Sequence, residues 1–82
     1  MSEISFEDIL SHYYIKLKQI YDELDRISSQ VKVCSELADS SWQGKSSILF
    51  QEKIDKLSDK IIKAKLETAT SLKQLSAVLE VI

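Results

Sequence analysis

Few residues of this chain could do chemistry, and they are scattered. There is one histidine, His12, and one cysteine, Cys34, and neither has a second histidine or cysteine at ligand spacing. A structural or catalytic metal needs three or four converging donors, so His12 reads as a residue beside an apolar seam. A single cysteine cannot close an internal disulfide. Cys34 therefore reads as a small buried apolar residue, with an intermolecular disulfide as the alternative. One glycine excludes a glycine-rich phosphate loop. The acids Asp22, Glu23 and Asp25 are interspersed with Arg26 and read as a solvated face. Lys53, Lys56, Lys60 and Lys63 recur every three or four residues, with Asp55 and Asp59 among them. Asp59 and Lys63 make a favourable i,i+4 pair, and the stripe reads as an exposed helix face rather than a nucleic-acid or membrane-surface patch. The net charge of −2 gives no overall basic footprint. No set of residues points to catalysis, a cofactor or a metal, and the chain is not expected to be an enzyme or to bind nucleic acid.

What stands out instead is Trp42 and Gly44, the only tryptophan and the only glycine, two positions apart near the midpoint of 82 residues. The chain contains no proline. Long helix-forming sequence lies on both sides of this pair, and a helical chain must reverse somewhere to bury its apolar stripes. Glycine makes the reversal cheap because it enters positive φ without a Cβ penalty. Trp42 reads as a cap closing the end of a helical pair, or as an aromatic recognition element at its tip.

Around that bend the pattern is helical throughout. Ser5 with Asp8 three residues later reads as a capping box opening the first helix, with Glu7 and Asp8 in its first turn. The apolar positions Leu10, Tyr13, Leu17, Ile20, Leu24, Ile27, Val31, Cys34 and Ala38 are spaced alternately by three and four, a heptad seam. Tyr14 and Tyr21 widen it. In the second helix Phe50, Ile54, Leu57, Ile61, Ala64, Thr68, Leu72, Leu75, Leu79 and Ile82 repeat the pattern, with an extra step of four between Thr68 and Leu72. Such an insertion is a stutter. Ile62, Leu66 and Ala69 add a secondary stripe, and Ser46 or Ser47 is placed to cap this helix. The expected architecture is all-α: one domain over 1–82, a two-helix antiparallel hairpin. Helix one runs over about 6–38, the turn over about 39–46 and helix two over about 47–80.

Two helices packed once against each other leave part of these faces in water, and exposed apolar patches of that length mark an interface. The spacing therefore predicts association of two hairpins into an antiparallel four-helix bundle. Leu10, Leu17, Ile20, Leu24, Ile27, Val31, Ile54, Leu57, Ile61, Leu72 and Leu75 form the seam of hairpin or dimer. Residues 1–41 carry eight acids against four bases, and residues 42–82 five against seven. That asymmetry favours antiparallel contact between halves or copies. No uncharged stretch approaches the ~20 apolar residues of a membrane span, and the N-terminal residues do not form a signal peptide.

The stretch from Trp42 to Phe50, Trp-Gln-Gly-Lys-Ser-Ser-Ile-Leu-Phe, is similar to the signature of the Trp-X-Gly (WXG) family of small proteins exported by type VII secretion systems. In that family the Trp-X-Gly turn is followed by two small residues and then an aromatic eight positions after the tryptophan. Ser46, Ser47 and Phe50 fall at those places. The resemblance implies a helical hairpin that forms homo- or heterodimeric four-helix bundles and travels folded through a secretion ATPase. It implies a bacterial cytoplasmic protein that is then secreted or surface-held without a cleaved signal peptide. The partner would be an identical chain, a similar hairpin, or the N-terminal LXG-type helical domain of a larger effector. Many members carry an export signal beyond helix two, an aromatic followed four residues later by an acid. No aromatic follows Phe50 here, and Tyr21 with Asp25 lies within helix one. The expectation is therefore a targeting or chaperone partner whose effector supplies the signal. The alternative is a structural or regulatory coiled-coil hairpin with no role in secretion.

Overall fold

The computed structural model describes residues 5–41 and 44–81, without the side chain of Ser41. The described residues form two long helices, α1 (Phe6–Ser41) and α2 (Lys45–Val81). α1 opens where the sequence places its cap. The Asp8 amide donates to Ser5 Oγ at 3.1 Å, and the Ser5 amide donates back to Asp8 Oδ2 at 3.4 Å. The two bonds satisfy donors that a helix N-terminus otherwise leaves unpaired. At its other end α1 continues to Ser41, three residues beyond the expected 38. Nothing in Asp39-Ser40-Ser41 stops a helix, and the Ser40 hydroxyl donates to the Leu37 carbonyl at 3.1 Å.

Two cross-helix contacts fix the antiparallel register. The Ser35 hydroxyl donates to Gln51 Oε1 at 2.9 Å, and Gln51 Nε2 donates to the Ser35 carbonyl at 3.1 Å. Further from the turn, Lys65 Nζ lies 2.7 Å from Asp25 Oδ1. The molecule is a flat slab of 63 × 22 × 14 Å, two helices wide and one thick.

A single hairpin of this shape has almost no interior. Among the described residues only Ile61, 6 % exposed, is buried. The half-buried residues of α1 nonetheless trace a continuous inner row: Leu10, Tyr14, Leu17, Tyr21, Leu24, Ser28, Val31, Ser35 and Ala38. On α2 the inner row is Ser47, Gln51, Ile54, Ser58, Ile61, Lys65, Thr68, Leu72, Leu75 and Leu79. Both alternate by three and four without a break, so the helix contact has no stutter at Thr68–Leu72.

This corrects the expected seam where the two helices meet. Leu10, Leu17, Leu24, Val31, Ile54, Ile61, Leu72 and Leu75 line it. Ile20, 49 % exposed, and Leu57, 43 % exposed, do not. They stand on its flank with Tyr13 and Cys34, which are also exposed; Ile27 is half-buried on the same flank. The inner places are taken by Tyr14, Tyr21, Ser28 and Ser35. Small and hydroxyl-bearing side chains between two helices allow close approach and pair their own polar atoms, as Ser35 does with Gln51.

Candidate functional site: turn, polar edge and uncharged face

Three features could carry a function: the turn, a polar edge, and a face without charge. At the turn, Gly44 has φ of +109°, the left-handed half of the map that L side chains rarely enter. A Cβ built there would meet nothing within 4 Å. The demand for glycine is thus conformational rather than spatial. The Gly44 carbonyl accepts from the amides of Ser47 at 3.2 Å and Ile48 at 3.3 Å, so α2 begins from Gly44 itself. Ser47 was a candidate cap, but its hydroxyl donates to the Gly44 carbonyl at 2.8 Å instead of accepting from the helix. It ties the turn rather than capping it. Phe50, the aromatic of the motif, is half-buried one turn into α2. Trp42 lies outside the described residues, and with it the cap or recognition role expected of its ring.

The polar edge is centred on Tyr21. Lys18 Nζ and Lys65 Nζ each lie 5.4 Å from its ring centroid, within the range of a cation–π contact. The Lys65 hydrogen bond, and then its charge, hold the Asp25 carboxyl below its ordinary value. In return the Asp25 hydrogen bond holds the Lys65 ammonium above its own. Lys18 also pairs with Asp22 one turn on, at 3.1 Å, and Arg26 bonds both carboxylate oxygens of Glu23. These are exposed pairs worth little individually. Of the three, Asp25–Lys65 joins the two helices and the other two lie within α1. Among the described residues no three His, Cys, Asp or Glu side chains gather where a metal could sit.

The third feature is visible only once the inner rows are known. The side of the slab flanking Leu17, Leu24 and Val31 carries on α1 the row Phe6, Tyr13, Ile20, Ile27 and Cys34. On α2 it carries Phe50, Leu57, Ala64, Ser71 and Val78. Neither row, nor the inner row beside it (Leu10, Leu17, Leu24, Val31 and Ala38; Ser47, Ile54, Ile61, Thr68 and Leu75), contains a charged residue. The opposite side carries Lys18, Asp25, Lys32, Asp39, Asp55 and Lys65, together with the exposed apolar residues Ile48, Ile62 and Leu66 of α2. The two sides therefore differ in that charged residues reach the middle of one and only the rim of the other, where Lys16, Glu23, Lys53, Lys60 and Glu67 stand. Sequence reasoning placed most of these apolar residues in one seam, of hairpin or dimer, without separating those between the helices from those on this side. The signal that distinguishes the two rows is the serine series Ser28, Ser35 and Ser58, which hydrophobicity alone passes over.

No family model, curated protein or solved structure matches this chain. The turn, the polar edge and the uncharged face are therefore what a functional reading has to rest on. Among the described residues no helix is long and apolar enough to cross a membrane.

Proposed function

We propose that this hairpin is an interaction protein of type VII secretion, acting as a dimeric secreted factor or as the targeting or chaperone partner of a larger effector. The observation that carries the reading is the motif at the bend: Trp42, Gly44, the small residues Ser46 and Ser47, and Phe50, at WXG-family spacing in the middle of a proline-free helical hairpin. The positive φ of Gly44 supports it, because the motif's glycine stands where only a glycine is comfortable. The exposed apolar rows support it as well, since a hairpin with one buried side chain among its described residues is suited to association rather than to standing alone. Its partner in this reading is a second copy, a similar hairpin, or the LXG-type helical domain of an effector, and the secretion ATPase engages the assembled bundle.

The test is Trp42→Ala in a bacterium that exports the chain. Under this reading export or partner capture is lost while circular dichroism of the purified variant stays helical. Full export of Trp42→Ala, with only a lowered melting temperature, sinks the reading. It would leave the motif as a structural cap on a coiled-coil hairpin unconnected to secretion.

A further inference from the structure

We propose that the outer edge of α2, turned away from α1, is a docking strip for an anionic lipid surface. The proposal does not rest on the secretion reading, because the strip lies outside both the turn and the middle of the uncharged face.

The argument starts from how the helix sorts its charges. Along the chain Lys53, Lys56, Lys60 and Lys63 are mixed with Glu52, Asp55 and Asp59. Around α2 they separate. With Ile54 and Ile61 in the inner row, Lys56 and Lys63 fall directly away from α1, and Lys53 and Lys60 stand beside them toward the uncharged side. Glu52, Asp55 and Asp59 fall on the other flank. The arc from Leu57 through Lys60 to Lys63 takes about a third of the circumference. From Leu49 to Ala64 it holds four lysines and no acid, and Glu67 ends it.

All four lysines are exposed. Among the described residues none takes part in an ion pair, the expected Asp59–Lys63 pair included, whereas Lys18, Arg26 and Lys65 are each paired. Like charges three and four apart on a helix repel. A quartet with no ion pair to offset that repulsion suits an anionic surface outside the hairpin.

Shape and apolar content choose the occupant. The lysines follow a straight line of about 15 Å along a protruding edge, which fits a plane of headgroups better than a small ligand. Leu49, 59 % exposed, continues the line toward the turn, and Leu57 flanks it. Such leucines can enter the acyl boundary while the lysine stems reach back to the phosphates. A nucleic acid backbone has no use for them. The net charge of −2 does not oppose docking. The outer acids of α1 stand across a slab 22 Å wide, and at 0.1 M salt charges are screened over about 10 Å.

The test is sedimentation of the purified chain with mixed phosphatidylcholine and phosphatidylglycerol vesicles, with pure phosphatidylcholine vesicles alongside. Binding to the mixed vesicles alone is expected, weakening as salt is raised. Lys56→Gln with Lys63→Gln lowers the partition constant about tenfold or more. Lys16→Gln with Lys32→Gln, which removes the same charge from exposed positions on α1, changes it far less. Glutamine keeps the helix propensity of lysine, and circular dichroism checks the fold of each variant. No binding to the mixed vesicles overturns the proposal, as does equal binding to the uncharged ones or equal loss from the two double variants. Retention of a duplex oligonucleotide or of polyglutamate without vesicle binding overturns it too, and reassigns the lysines to nucleic acid or to an acidic protein segment.

Discussion

At Gly44 the backbone and the sequence meet most tightly. A φ of +109° costs glycine nothing and other residues of the order of 1–3 kcal/mol. The space around the Cα is open, so no clash adds to that figure. Gly44→Ala is therefore expected to destabilise the hairpin by about 1–3 kcal/mol in urea unfolding followed by circular dichroism. Equal midpoints for variant and wild type would show that the turn has another conformation available. The glycine was legible from the sequence because it is unique and central. The role of Ser47 was not, because a hydroxyl donating to the carbonyl three residues back and one accepting from the helix amides look the same in one-letter code.

Considered as elements, the helices are closed with different care. α1 begins with a reciprocal Ser5–Asp8 pair and two acids in its first turn, Glu7 and Asp8, both favourable to the helix dipole. Ser5→Ala removes one of the two bonds and should cost ~1 kcal/mol of stability; an unchanged melting temperature would argue that the first turn of α1 frays anyway. At the turn the charges run against both dipoles, with Asp39 in the last turn of α1 and Lys45 opening α2. The hydrophobic period announced two helices and their order correctly, but the phase of the seam was harder to read. The sequence reading followed Tyr13, Ile20 and Cys34 because they are apolar. Packing instead turned Tyr14, Tyr21, Ser28 and Ser35 inward, where small or hydroxyl-bearing side chains suit close helices. The same rotation dissolves the stutter on α2. Gln51, Ser58 and Lys65 occupy inner places that an apolar count skips.

For the molecule as a whole, the Asp25–Lys65 pair joins the helices far from the turn, 40 residues apart in sequence. Because the Asp25 carboxyl is held below its ordinary value, the pair's contribution is present above the ordinary aspartate range. It is lost as pH falls below ~4 and through the folded-state value. Acid unfolding of wild type is expected to steepen in that window, and Asp25→Asn to flatten it. Matching acid titration curves for the two proteins, followed by ellipticity, would mean that this pair contributes nothing. The pair and the Ser35–Gln51 bonds lie along the charged side of the slab, so alignment is set on one side and the other is left uncharged. From sequence the apolar excess of the hairpin was evident. The uncharged middle of one side was not, since that depends on which rows face inward.

The unbroken alternation of three and four along both inner rows also limits how the chain can change length. One residue inserted in either helix advances everything beyond it by about 100° around the axis. In α1 it would carry Phe6, Tyr13 and Ile20 away from Phe50 and Leu57 and split the uncharged side in two. A change of seven residues returns each row to its side, but in one helix alone it leaves the other overhanging by about 10 Å. Insertions and deletions compatible with this hairpin therefore come as whole heptads, matched between α1 and α2 at the same distance from Gly44.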